Sequence, residues 1–377
     1  MATRQDMALI AKLVPYLSPE NIPLSFRYGD RLVRGIPAEF RPRVTRRRLD
    51  ANMELTVIEG TDERGLHLRA EYLEYRDFPV TEWVAYLSNH GSEDTPVLSE
   101  IRILDTVFAG ANPRFVHGTG DNCQPTGYEM ITTPLAAGPV TTHPYDHSGT
   151  PCCGASPYLK LLFDDWTMRI AVGWPAQWTA TAAAAEGGAR LSIGQQRTHM
   201  VIRPGETMRT PRVNLLGCAG DEQHSANLWR RWYLKHILPR EDGQPIPPKL
   251  CLHVFAEGGP EFTGATEAQQ LDGIATYVRR GLRPDVWWID AGWYTCNLNW
   301  PYVGTWAHDP ERFPRGLRPI GAACDQVGAR LLLWFEPERV HHGTWLATQH
   351  PEWILYRPGE NAGEHNGLLN LASPEVQ

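Results

Sequence analysis

Hydrophobic and polar positions change their rhythm once along this chain, near residue 240. Before it, apolar residues alternate with polar ones in short runs such as Leu66-His67-Leu68-Arg69-Ala70, Ile101-Arg102-Ile103-Leu104 and Arg190-Leu191-Ser192-Ile193, separated by Gly, Pro, Asn and Asp. A period of two with frequent turn residues predicts half-buried antiparallel strands, hence a β-sandwich over residues 1–220. Asp221 through Leu238 then has helical spacing, with an acid at its start, apolar Leu228, Trp232 and Ile237, and basic Lys235 and His236 near its end. Gln244-Pro245-Ile246-Pro247-Pro248 follows as a stiff linker, so 221–249 joins two domains.

After the linker the pattern becomes strand, helix, strand, helix. Leu250 to Phe255 is a short apolar strand, and Thr266 with Gln269 forms a capping box for a helix that buries Leu271, Ile274, Ala275 and Val278. Gly281 and Pro284 stop that helix. Asp285 to Asp290 is the second strand, Leu317 to Val327 the second helix, and Arg330 to Glu336 the third strand. Continuous apolar strands alternating with helices predict a parallel sheet buried on both faces. No Gly-x-Gly-x-x-Gly follows the first strand, whereas carboxylates stand at the carboxyl ends of the second and third, the active face of a (β/α)8 barrel. Side-chain alternation puts Trp288 with Asp290, and Trp334 with Glu336 and Glu338. Two neighbouring strand ends are therefore expected to converge on one pocket.

A barrel needs roughly 250 residues, and 250–377 supplies about half of that. Leu368-Leu369-Asn370-Leu371 is at best a fourth strand. The expected architecture is multidomain, an amino-terminal antiparallel β-sandwich followed by a partial (β/α)8 TIM barrel. A fragment, or a barrel completed by another polypeptide, is the corresponding expectation, and an unclosed sheet has reason to associate into a homo-oligomer.

Composition narrows the chemistry. The chain has 377 residues, 42% hydrophobic, net charge -7, and no apolar run approaching the roughly 18 residues of a membrane helix. Met1 to Pro15 carries one apolar patch at Leu9-Ile10 and no small-residue cleavage site, which predicts no secretory signal, no membrane and a cytoplasmic location. Basic residues are scattered apart from Arg41 to Arg48, read as a solvated strand or loop, so no nucleic-acid groove is expected. Seven cysteines without regular spacing make a disulfide framework improbable, and Cys152-Cys153 near His143 and His147 fits no standard zinc pattern. Neither a metal nor an organic cofactor is demanded.

Tryptophan is the outlier, at 14 residues. Indole faces stack on pyranose rings while carboxylates accept hydrogen bonds from hydroxyls, so Trp and acid together at strand ends suit a sugar pocket. Trp83, Trp166, Trp174 and Trp178 are read instead as core.

Asp290-x-Gly-Trp293, Gly304-x-Trp306, Phe313-Pro-x-Gly-Leu317 and Trp334-Phe-Glu-Pro-Glu338, set after a sandwich and a linking helix, resemble the family 36 glycoside hydrolases. These are melibiase-type α-galactosidases with some α-N-acetylgalactosaminidases. The resemblance implies a retaining mechanism, in which one carboxylate attacks the anomeric carbon and a second protonates the leaving oxygen. From the residues alone, Asp290 and Glu336 are the natural pair. The resemblance assigns the nucleophile instead to a Lys-x-Asp motif on the fourth strand and the acid/base further along; no Lys-x-Asp occurs after Arg339, and Asn370 to Val376 resembles the lead into the helix before that strand. No residue of this chain is therefore assigned as catalytic.

What the resemblance leaves is sugar binding. Asp290 resembles an aspartate that accepts hydrogen bonds from galactose hydroxyls, Trp334 the tryptophan lining the same subsite, and Trp293 and Glu336 complete the candidate substrate-binding set. Trp293 and Trp306 are equally readable as loop supports, Glu336 and Glu338 as acids held by arginines, and His341 and His342 as an exposed strand-to-helix turn. Ala291 stands where the family has a second Asp, a loss on the order of 1–3 kcal/mol in discrimination, and Glu364 or His365 stands near a family arginine. The expected ligand is an α-galactoside or related oligosaccharide, with hydrolysis absent from this chain. The alternatives are a non-catalytic carbohydrate-binding module, or an α-N-acetylgalactosaminidase-like enzyme completed by a further segment.

Overall fold

Alternation along the first two hundred residues becomes two antiparallel sheets in the computed structural model, which describes residues 2–13, 18–146, 149–254, 265–297, 302–361 and 363–377. His147 and Phe255, and Met1, Val14 and Pro15 of the amino-terminal segment, lie outside the described residues. The chain divides into two compact units, Met1–Arg240 and Glu241–Gln377.

In the first unit a seven-stranded sheet runs in the order Val140–Thr142, Trp178–Ala185, Gly188–Gln195, Leu98–Ala109, Ser25–Tyr28, Arg31–Arg34, with His199–Met200 also on Leu98–Ala109. A ten-stranded sheet includes Arg43–Arg48, Met53–Thr61, Leu66–Tyr75, Val80–Asn89, Arg212–Cys218, Thr167–Gly173 and Tyr158–Leu162 in that spatial order. One apolar core takes side chains from both, among them Phe26, Ile103, Trp178 and Leu191 from the smaller sheet and Leu68, Trp83, Leu161, Ile170 and Leu215 from the larger. From Leu66 to Leu73 alternate positions are buried and the positions between them half-buried, as one covered face requires. Trp83, Trp166 and Trp178 are buried and Trp174 packs at the core margin, as expected. The Trp83 indole also donates to Ile103 O at 2.8 Å, so its polar atom is satisfied inside the core.

Every residue of Arg43–Arg48 is exposed, and the strand ends the larger sheet. A row of arginines there discourages pairing with another chain. The helix Glu222–Trp232 starts at Asp221, whose carboxylate accepts from His224 N, and continues as one π-helical turn over Tyr233–Ile237. Its Leu228 and Trp232 pack on Tyr75, Phe78, Val80 and Leu216 in a second cluster.

In the second unit three parallel strands, Cys251–Leu252, Val286–Ile289 and Arg330–Leu333, form a sheet with Val286–Ile289 in the middle. The helices Glu267–Arg279 and Arg318–Val327 pack with it. Thr266 caps the first helix as expected, its side chain meeting both the amide and the side chain of Gln269. That helix buries Gln270, Gly273 and Ile274, while Ala275 is exposed and Leu271 and Val278 are half-buried. The covered face is shifted because Trp287, fully buried, donates to Gln270 Oε1 at 2.8 Å. Gly273 permits this approach, since a Cβ there would stand 2.5 Å from Val254 Cγ1.

Three expectations are corrected. The third strand ends at Leu333, so Trp334 to Glu338 is loop and strand parity does not set its side chains. Gly367–Leu369 is no fourth parallel strand; it lies between Arg339–Val340 and Ile354–Leu355 in a separate antiparallel sheet. A short apolar run specifies burial but not pairing direction, and here the chain returns without a long crossover helix. Gln244–Pro245, expected as linker, pairs with Arg240–Glu241 in a two-stranded ribbon. Residues 371–376 form turns.

Candidate functional site

The carboxyl ends of the second and third parallel strands are held together beyond their ladder. Trp334 N donates to Ile289 O at 2.9 Å, and the Trp293 indole donates to Trp334 O at 2.8 Å. Asp290 follows Ile289 directly, half-buried, its Oδ1 accepting from Ala291 N at 2.8 Å. Trp287 and Ile289 point into the helix-side core while Trp288 and Asp290 are half-buried on the other face. The Trp288 Nε1 is buried with no hydrogen-bond partner among the described residues, beside His253 at a ring separation of 5.7 Å.

Around this junction lies an aromatic cluster. Trp293 meets Phe335 edge-on at 5.0 Å and Trp306 at 6.2 Å, and Tyr294 meets Trp306 at 4.7 Å and stacks with Trp334 at 6.3 Å. Trp293 and Tyr294 are buried, Trp334 half-buried and Phe335 exposed. Burial, then the nearby Cys296 and Glu336, raises the Tyr294 hydroxyl well above its ordinary range. Tyr294 therefore stays neutral at any ordinary pH.

Glu336 is held by Arg339 through two hydrogen bonds, from Nε and Nη2. These bonds, first of all, raise the Arg339 pKa further. Glu336 thus has a structural partner, and Glu338 is exposed in the same loop. The structure brings Trp293 and Trp334 into direct contact and sets Asp290 at the adjoining strand tip. His341 and His342 do lie between the strand Arg339–Val340 and the helix Trp345–Gln349, but they are half-buried and stacked on each other at 4.3 Å. Ala291 is 1% exposed and belongs to the apolar core, while Glu364 and His365 occupy a surface turn.

Arg312 escaped the sequence reading. Its guanidinium donates to Gly292 O, to Tyr294 O at 2.7 Å and to Asp309 Oδ2 at 3.3 Å, so it fixes the loop that follows Asp290. The available signal was its position one residue before Phe313, a fully buried ring, with Asp309 three residues earlier accepting from Arg312 N at 3.2 Å. Arg315, inside the same motif, binds the buried carboxylate of Glu267 through Nε at 2.6 Å. The Phe-Pro-x-Gly-Leu motif is thus structural. Cavities of about 680, 690 and 370 Å³ are lined by residues of the first unit.

Residues 267–377 match the family described as Melibiase. An α-galactosidase of Escherichia coli is 34% identical over 241 residues, 62% of this chain and 32% of that protein. The chain is thus similar to the melibiase-type family 36 glycoside hydrolases. Its fold agrees: the crystal structure of the family 36 α-galactosidase AgaA from Geobacillus stearothermophilus superposes with a TM-score of 0.74 at 18% identity, covering 94% of this chain and 51% of that one. A variant of AgaA solved in complex with raffinose gives a TM-score of 0.75, also at 18% identity over 94% of this chain and 51% of that one. The chain spans between 26% and 32% of the length of the first three curated relatives it matches. Among its described residues no helix is long and apolar enough to cross a membrane.

Proposed function

We propose that the chain is part of an α-galactosidase-type retaining glycoside hydrolase of carbohydrate catabolism, and that its strand tips hold the terminal sugar of an α-galactoside. In this reading residues 1–220 are the sandwich domain, 221–249 the linking helix and linker, and 250–377 the beginning of a (β/α)8 barrel. Asp290 accepts hydrogen bonds from sugar hydroxyls and Trp334 offers its indole face to the ring. Trp293 holds Trp334 from behind, and Glu336, braced by Arg339, closes the acidic side. The observation carrying the proposal is the pair of bonds that ties the Asp290 and Trp334 strand ends into one unit, Trp334 N to Ile289 O and Trp293 Nε1 to Trp334 O. The complex of AgaA with raffinose supports an α-galactoside as ligand.

No residue of this chain is assigned the attacking or the proton-donating carboxylate, because the Lys-x-Asp motif to which the resemblance assigns the nucleophile does not occur after Arg339. Titration of the chain with raffinose followed by calorimetry tests the site. Saturable binding weakened at least about tenfold, roughly 1.4 kcal/mol, in Asp290→Ala and in Trp334→Ala supports it; unchanged affinity in both ends it. Turnover of a nitrophenyl α-galactoside at enzyme-like rates would overturn the absence of catalytic acids. The exposed Leu332 and Phe335 support self-association, read by light scattering, and a cytoplasmic location belongs to the same proposal.

A further inference from the structure

We propose that Asp6, Cys218 and His224 form a binding site for a borderline-soft divalent cation of the zinc type, which clips the amino-terminal helix to the larger sheet of the sandwich. The three come from separate elements: the helix Arg4–Leu13, the end of the strand Arg212–Cys218 and the first turn of the helix Glu222–Trp232. Each offers one ligand atom, and these atoms all lie within 4.8 Å of one another. Carboxylate oxygen, thiolate sulfur and imidazole nitrogen are the donor set zinc takes, at about 2.0–2.3 Å, which separates tetrahedral ligands by roughly 3.3–3.8 Å. Movements on the order of an ångström therefore close the site.

The surroundings are built. Asp6 and Cys218 are fully enclosed, and His224, with its side chain 31% exposed, leaves an entry path and room for a solvent oxygen as fourth ligand. The Asp6 carboxylate is aimed by Ala219 N at 3.0 Å on Oδ1, and by Thr3 N and Thr3 Oγ1, each at 2.7 Å, on Oδ2. His224 Nε2 lies 3.0 Å from the same Oδ2. Outer bonds of this kind orient the inner ligands. Gly220 covers one side, since a Cβ there would stand 3.6 Å from His224 Cδ2 and 4.0 Å from Cys218 Sγ. Arg169, the nearby cation, is occupied by Glu222 at 3.0 Å.

The buried Cys218 thiol must give up its proton to ligate, because the thiolate is the metal-binding form. Binding replaces that proton: the sulfur lone pair forms the metal bond, and one proton per ion passes to solvent. Titrating the metal-free full chain with cobalt(II), then zinc, is the test. Support is a near-ultraviolet thiolate-to-cobalt band that saturates at one equivalent with release of one proton per cobalt bound, disappears as zinc displaces the cobalt without further proton release, is missing in Cys218→Ser, and requires at least about tenfold more cobalt in His224→Gln. No thiolate band, a band of equal strength in Cys218→Ser, or equal affinity in His224→Gln overturns the site. Should Cys218→Ser fail to fold, the half-exposed His224→Gln carries the decision, its fold checked by circular dichroism.

Discussion

Arg312 concentrates several bonds in one side chain, so its removal gives a large and calculable effect. In Arg312→Met the apolar stem remains, but the carbonyls of Gly292 and Tyr294 lose a charged donor and Asp309 loses its ion-pair partner. The Arg312 and Asp309 side chains are 13% and 17% exposed, so water replaces those bonds poorly. Each buried acceptor left unpaired costs about 1–3 kcal/mol, and stripping one partner from a buried ion pair costs about 3–5 kcal/mol. These figures overlap because one side chain supplies them all, and the expected total is about 3–5 kcal/mol. Urea unfolding monitored by tryptophan emission reports the loss, since Trp293, Trp306 and Trp334 sit beside the loop. Amide exchange at Trp293 to Cys296 should accelerate by at least about a hundredfold, the equivalent of roughly 3 kcal/mol. A loss below about 1 kcal/mol with unchanged exchange would refute Arg312 as the anchor of the Asp290 loop.

Ala291→Asp, which restores the residue type that the family resemblance places there, is expected to destabilise by several kcal/mol at neutral pH, because Ala291 is buried among apolar side chains. A buried carboxyl has a raised folded pKa, so this loss should shrink as pH falls from that raised value towards the unfolded value of about 3.9 and stay constant below it; tighter galactose binding with no loss of stability would contradict the burial argument. Glu82 is raised by burial, which outweighs Arg212 and Asn214. Its unfolded form ionises first as pH rises from about 4, so the wild type should lose stability relative to Glu82→Gln above that pH and level off past the raised value, as urea midpoints between pH 4 and 7 will show. Gly304→Ala places a Cβ 2.4 Å from Thr344 Oγ1 at a φ of +130°. A cost of about 1–3 kcal/mol is expected, with Thr344→Ala relieving the contact but not the backbone strain, measured as a two-step recovery in melting temperature.

The strand tips were legible because their carboxylates and tryptophans end apolar runs, a local signal. Arg312 was not: its partners are backbone carbonyls, and a carbonyl has no letter in a sequence. Glu336 shows the intermediate case. An acid held by an arginine was one of two readings open from the residues, and the geometry supplies Arg339 as that arginine. Ala291 reverses direction, since a missing acceptor on paper is a buried methyl group in the fold.

Period-two alternation determined the sandwich, and apolar runs interleaved with helical spacing determined the parallel sheet, because burial on one face or both imposes a periodicity any single strand carries by itself. Capping at Thr266 and Asp221 was equally local. Pairing partner and direction were decided only in three dimensions: Gly367–Leu369 joined an antiparallel sheet, and residues 6, 218 and 224 met at one point. Such choices depend on which surfaces remain uncovered once the local elements have formed, a property of the whole chain that no window of sequence contains.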